Sequence, residues 1–267
     1  MIDVIRAKLQ KFNTNVEKYN FLREYLQLLI LKVLDEKGYF RNLAFVGGTA
    51  LRILYDLNRF SEDLDFCLVS KDNYDFAKII QELEKELRHY NMIVSTRWKS
   101  VKTVASAFIK FDGLLFELGL SPHKDKKLLI KFEVDQNPPG GFVTEFTMIN
   151  KEFLIGINHF DLPSLFSGKL HAFLFRKYPK GRNYYDFIWY VTRNIKPNLY
   201  LLNQAILQME GEELNLDEAK LKKLLLKKAE ETDFNKVRLD VEPFLADGNE
   251  IRHFNKEFFL DLIKKEF

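Results

Sequence analysis

Two aspartates separated by one residue, Asp63 and Asp65, are the side chains of this sequence best suited to chemistry. They stand in the run Glu62-Asp63-Leu64-Asp65-Phe66-Cys67-Leu68. Its alternation predicts a strand, and successive strand side chains point to opposite faces. Asp63 and Asp65 then share one face, with Leu64, Phe66 and Leu68 on the other. Two carboxylates on one face repel each other, and burying the pair without a cation is costly. A divalent metal removes that cost. Oxygen-only ligands suit Mg²⁺, which fills its shell with water and substrate phosphates. The expected cofactor is Mg²⁺ or Mn²⁺, held by these acids.

Just upstream, residues 43–46 read as a short strand, followed by Gly47, Gly48 and Thr49. A helical pattern then carries Leu51, Ile53, Leu54 and Leu57. A glycine turn at a helix start offers backbone N–H groups and the positive end of the helix dipole to a phosphate. A tight turn and a solvated strand edge would each explain one half of this unit. The two together, in this order, point to nucleotide chemistry.

The elements that must position these residues are legible from periodicity. Helical spacing covers residues 3–12 and 15–37, with Gly38 as the expected C-terminal stop. A helix over 73–90 is expected to start on Asp72 or Asn73. Strands are expected over 93–99, 103–111, 114–120 and 127–135, with Asp112-Gly113 as a hairpin turn. Shorter extended pieces follow at 142–149 and 153–157. Beyond Pro163 the texture is helical, over 165–176, 184–193, 198–208, 216–228 and 254–265. The fold class is therefore α+β, with a mixed α/β domain over 1–160 and a helical domain over 161–267.

The whole chain has 267 residues, 46% hydrophobic and 30% charged, which supports a sizeable soluble core. The formal charge of +3 is compatible with a nucleic-acid partner without arguing for one. The single cysteine, Cys67, excludes an internal disulfide and a cysteine zinc cluster. No signal-peptide core opens the sequence, and Gln27 and Lys32 interrupt its richest apolar run. No membrane span and a cytoplasmic location are expected.

Gly47-Gly48-Thr49-Ala50-Leu51, followed by Arg59-Phe60-Ser61-Glu62-Asp63-Leu64-Asp65-Phe66, resembles the first motif of the AbiEii/AbiGii nucleotidyltransferases. These are abortive-infection toxins of bacterial toxin–antitoxin systems, within the DNA polymerase β-like superfamily. The resemblance implies a polymerase β-like nucleotidyltransferase domain with a mixed sheet, followed by a C-terminal helical bundle. It also implies a third carboxylate on a neighbouring strand. Residues 128–135 alternate, with Lys131, Glu133 and Asp135 on one face, and Phe132-Glu133-Val134 fits the family's second motif. Glu133 is preferred as the third metal ligand, Asp135 being next to the Asn137-Pro138-Pro139 turn. Lys169, Ala172 and Arg176 look like the family's Lys-x-x-Ala-x-x-x-Arg, with Lys169 expected near a helix start. Arg182-Asn183-Tyr184-Tyr185-Asp186 looks like its Arg-Asp-x-x-Asp. Here Asn183 replaces the more usual Asp, and it could instead cap a helix.

By this resemblance the catalytic set is Asp63, Asp65, Glu133, Lys169 and Asp186. Gly47, Gly48, Thr49, Arg59, Ser61, Lys169 and Arg176 would hold the nucleotide. Lys169 and Asp186 would reach the cleft from the helical domain. The implied reaction is transfer of a nucleotide from an NTP, with pyrophosphate released. The implied acceptor is RNA, at a tRNA 3′ end, and the implied partner is a co-encoded antitoxin that need not touch the toxin. Two alternatives stay open on sequence grounds: a protein or small-molecule acceptor, and a non-catalytic nucleotide (GTP)-binding module.

Overall fold

Helix α1 spans Ile2–Leu9 and α2 spans Asn15–Glu36 in the computed structural model, which describes residues 1–101 and 103–267. A reciprocal cap starts α2. Thr14 Oγ1 accepts from the Glu17 amide at 3.2 Å, and Glu17 Oε2 accepts from the Thr14 amide at 2.8 Å. Gly38 lies beyond its end with φ +74°, where glycine bears no steric cost. Strand β1 (Leu43–Val46) runs directly into α3 (Gly47–Tyr55), and β2 (Leu64–Leu68) follows. Helix α4 (Phe76–Arg88) is capped by Asp75, whose Oδ1 accepts from the Lys78 amide at 3.1 Å. The cap is thus two residues or more beyond the expected Asp72 or Asn73.

Strands β3 (Ile93–Ser100) and β4 (Val104–Asp112), helix α5 (Leu114–Glu117), and strands β5 (Leu128–Asp135), β6 (Thr144–Asn150) and β7 (Leu154–Phe160) come next. The remainder is helical: α6 (Leu162–Phe175), α7 (Gly181–Val191), α8 (Leu199–Glu210), α9 (Glu218–Glu231), α10 (Phe234–Val241) and α11 (Lys256–Glu266). Among the described residues no helix is long and apolar enough to cross a membrane.

Several expected elements are corrected. Residues 114–120 form no strand. Gly113, at φ +69°, caps α5 instead of closing a hairpin, and consecutive Leu114 and Leu115 are both buried, which an alternating strand cannot do. Helix α6 begins earlier than expected because Asp161 caps it, its Oδ1 accepting from the Ser164 amide at 2.9 Å. Lys169 therefore lies in the middle of α6 and not near its start. Arg176 follows the last turn with extended backbone, so it does not continue the face of Lys169. Asn183 is not a cap either. Helix α7 starts at Gly181, whose amide donates to Asp240 Oδ2 at 2.7 Å, a cap supplied from α10.

The seven strands form one mixed sheet in the order β3-β4-β5-β2-β1-β7-β6. Strand β2 is in the middle, antiparallel to β1 and parallel to β5. The chain divides into two compact units. The first comprises Met1–Ala50, Glu62–Asn137 and Phe146–His159; the second comprises Leu51–Ser61, Pro138–Glu145 and Phe160–Phe267. Both units are thus discontinuous in sequence.

In the first unit the apolar face of β2 and β5 packs beneath helices. Phe66 and Phe132 meet at 4.7 Å between ring centroids, and Phe76 of α4 reaches Phe132 at 6.2 Å. Leu64, Phe66, Ile130, Phe132 and Val134 are all essentially inaccessible. Each such side chain contributes roughly 1.5–3 kcal/mol on burial, which pins the register and with it the opposite face. In the second unit, Phe166 stacks on Tyr190 at 4.3 Å and Phe173 on Phe187 at 5.1 Å.

Candidate active site

The first cluster is built on the face of the sheet opposite those phenylalanines. Asp65 lies in β2 and Asp63 one residue before it, so the alternation of side chains turns both to the same side. Strand pairing sets Asp65 beside Val46 of β1 and beside Glu133 of β5. All three acids are partly accessible. Gly47 follows Val46 with φ +81°, a conformation that other L-residues rarely adopt. A Cβ at Gly47 would collide with the Asp65 carboxylate. The glycine is therefore needed twice, for its backbone angle and for the space that the acid fills. Gly48 is buried in the first turn of α3. Thr49 is 1% exposed, and its hydroxyl donates to the backbone carbonyl of Asp63. Thr49 thus ties the start of α3 to the start of the acid strand, a role distinct from the phosphate contact expected of its side chain.

Glu133 occupies the expected register, but its Oε2 accepts an ion pair from Lys131 Nζ at 2.7 Å. Among the described residues no three His, Cys, Asp or Glu side chains converge as a set able to hold a metal. The expected three-acid site is thus not assembled: Asp63 and Asp65 share a face, while Glu133 is turned to Lys131. The donor set itself fits a hard divalent cation. It is all oxygen, it shares one face, and Gly47 clears room for Asp65. Asp135, the rejected alternative, accepts from the Asn137 amide at 2.9 Å, and burial raises its carboxyl above the ordinary range. Cys67 is buried, and burial with the nearby Asp135 and Asp65 charges pushes its thiol well up. It is a packed thiol and not a nucleophile.

The second cluster belongs wholly to the helical unit. Arg59 grips Asp186 with both arms: Nε donates to Oδ1 and Nη2 to Oδ2, each at 2.7 Å. Its Nη1 donates to the Phe60 carbonyl at 3.0 Å. Lys169 Nζ meets Asp186 Oδ2 at 2.8 Å. Arg59 is 2% exposed and Asp186 fully buried, whereas the Lys169 side chain keeps 18% accessibility. Burial alone would raise the Asp186 carboxyl. The Arg59 and Lys169 charges outweigh it and hold the group below its usual value. Asp186 is therefore an ionised anchor that holds Lys169 by its ammonium. Arg59, expected at the triphosphate, has its guanidinium committed to that anchor.

This pairing across 127 residues was not foreseen from sequence. Arg59 stands among polar neighbours, Asp56, Asn58, Ser61 and Glu62, so local sequence carried no signal of the pairing. Arg59 is further fixed by its chain: its carbonyl accepts from Arg52 Nη1 at 3.1 Å, and Tyr185 Oη donates to the adjoining Asn58 carbonyl at 2.9 Å. Asn183 is 6% exposed with its Nδ2 unpartnered among the described residues. Ser61 is partly accessible and Arg176 exposed. His171 faces Glu210, with its Nε2 at 3.2 Å from Oε1, and takes no part in either cluster.

A sequence model of the family described as nucleotidyl transferase AbiEii toxin, type IV TA system, matches residues 29–258. No curated protein matches the chain. Among solved structures, a provisionally assigned nucleotidyltransferase from H. pylori is similar with a TM-score of 0.56 at 18% identity, over 91% of this chain and 92% of that one. JHP933 from Helicobacter pylori is similar with a TM-score of 0.54, also at 18% identity, over 92% of each chain. At that identity the two structures speak for the fold.

Proposed function

The chain belongs to the AbiEii family of nucleotidyltransferase toxins of toxin–antitoxin systems, and from that premise we propose that it uses Asp63 and Asp65 to transfer a nucleotide from an NTP to the 3′ end of an RNA. The observation that carries this reading is the pair of acids that the alternation at β2 turns to one side, of which Asp65 fills the space a Cβ at Gly47 would need. A divalent cation would relieve the repulsion between two carboxylates on one side of a strand. Asp63 and Asp65 would hold Mg²⁺ or Mn²⁺, with Glu133 joining them on release from Lys131. The bound cation would supply charge neutralisation at the triphosphate and a lowered barrier to deprotonating the acceptor hydroxyl.

The chain's own residues then have separable tasks. The amides of Gly47 and Gly48, at the start of α3, would donate to phosphate oxygens. Lys169 would offer its ammonium to the triphosphate, oriented from behind by Asp186. Arg59 would act one step further back, by keeping Asp186 charged and fixed. Ser61 and Arg176 remain candidates for phosphate contacts. In the reaction the acceptor hydroxyl attacks the α-phosphorus, one P–O bond forms, and the bond to pyrophosphate breaks. The reading places the reaction in the cytoplasm, with tRNA as acceptor and with a co-encoded antitoxin that need not touch the chain.

The test is a labelling reaction with purified protein, Mg²⁺, each labelled nucleotide in turn, and bulk tRNA. RNA should be labelled, and Asp63→Ala or Asp65→Ala should abolish labelling with circular dichroism unchanged. Full labelling by both variants would sink the assignment of the acids. Label that survives RNase and is removed by protease would move the acceptor to protein.

A further inference from the structure

We propose that the open face of β5, β4 and β3 is the seat of the single-stranded 3′ end of the acceptor RNA, with Phe108 as the stacking platform. This rests on the RNA-transfer reading above. Strand pairing carries one face continuously outward from the acids. Asp65 is paired with Glu133, Glu133 with Ser106, and Ser106 with Lys99. One step along the strands, Lys131 is paired with Phe108 and Phe108 with Arg97. Paired residues on neighbouring strands point to the same side, so all of these share the face of the catalytic acids.

The two faces of β4 and β5 differ, although Ser106 on the outer face is itself buried. On the inner face Ala105, Ala107, Ile109 and Phe111 of β4 are fully buried. On the outer face Phe108 is 42% exposed and Leu129 of β5 45% exposed. Phe108 has a cation beside it on each neighbouring strand, Arg97 and Lys131, the latter paired with Glu133, and another two residues along its own strand, Lys110. Lys99 lies diagonal to it. Arg97 and Lys99 are exposed. The acid on this face of β4, Asp112, is already neutralised by Lys127 at 2.6 Å.

An exposed aromatic ringed by cations suits neither a buried apolar interface nor a plain solvated edge. It does suit single-stranded nucleic acid, whose bases stack on the ring while its phosphates meet the charges. With strands about 5 Å apart, the Phe108 ring is roughly 12 Å from Asp65, a span of a few nucleotides. A base resting on Phe108 would thus leave its strand's 3′ hydroxyl within reach of the acids.

The experiment measures anisotropy of a short fluorescein-labelled single-stranded RNA with a free 3′ hydroxyl on the full chain, beside the tRNA-labelling reaction. Phe108→Ala should weaken binding about five- to hundredfold, and Phe108→Trp should restore it. The double variant Arg97→Ala/Lys99→Ala should flatten the salt dependence by about 1.4 in log–log slope, because two phosphates of the strand are no longer neutralised. In the transfer assay these variants should raise KM for RNA and leave KM for the nucleotide unchanged. Variants that bind RNA as the wild type does, while the wild type labels tRNA, overturn the platform and leave the transfer reading standing. Wild-type binding that depends on Phe108 and Arg97, without transfer to any RNA, supports the platform and overturns the transfer reading. Absence of RNA binding by the wild type overturns the platform.

Discussion

Arg59→Met removes the charge that keeps Asp186 ionised in the interior while conserving most of the side-chain volume. Arg59 and Asp186 are 2% and 0% exposed and share two bonds of 2.7 Å. Two unit charges about 4 Å apart attract by about 4 kcal/mol at an effective dielectric constant near 20. Removing one partner of such a buried pair typically costs about 3–5 kcal/mol, because the other is left uncompensated. Lys169 stays at 2.8 Å from Asp186, so the lower end applies, about 3 kcal/mol. That is roughly a hundredfold in the folding constant. The chain has two tryptophans, Trp98 and Trp189. Trp189 is nearly buried in α7, three residues from Asp186, so a Trp98→Phe background makes its fluorescence a local reporter in urea unfolding. The double variant Arg59→Met/Asp186→Leu should recover most of the loss, since it removes both charges.

The pH dependence has a definite sign. In the wild type the depressed Asp186 carboxyl contributes stability above its unfolded value of about 3.9 and loses it as pH falls through the lower folded value. In Arg59→Met, burial dominates and raises the folded value, so stability is lost as pH rises through it. The gap between the two proteins should be widest near neutrality and should narrow on acidification towards pH ~4. A loss under about 1 kcal/mol, a gap independent of pH, or a double variant as unstable as the single one would refute the argument.

Gly47→Ala should abolish nucleotide transfer with the fold retained, since the added methyl meets the Asp65 carboxylate and φ is +81°; labelling assays and circular dichroism check the two halves, and near-wild-type transfer contradicts it. Cys67 should resist iodoacetamide in the native protein at pH 8 and react once the chain is unfolded in urea, because burial raises its thiol; mass spectrometry reads both states, and rapid native alkylation would show that the strand opens.

Much of this was legible where short-range patterns decide. The alternation around Asp63 and Asp65 and around Glu133 reported the faces of β2 and β5 correctly, because one face of β2 is packed with Leu and Phe and one face of β5 with Leu, Ile, Phe and Val. The glycine turn was visible in the sequence, although not why Gly47 must lack a side chain, which depends on the neighbouring strand. Residues 114–120 were misjudged because a short apolar run fits a strand and a helix equally well. The early starts of α6 and α7 depend on Asp161 and Asp240, and the second of these comes from 59 residues away. Nothing in local spacing links Arg59 to Asp186, and that link changes Arg59 from an expected substrate contact into an internal support.

The close fit of Gly47 against Asp65 also bears on how such a protein is lost. A cell harmed by a toxin gains from any mutation that disarms it. Most disarming changes work by unfolding the chain and exposing it to proteases. If Gly47→Ala silences transfer as expected, a single added methyl is enough there, and every glycine codon is one base from an alanine codon. The gene would then hold a one-step route to a folded, silent product, which would persist in the population as an intact protein and escape notice in any survey that scores presence alone.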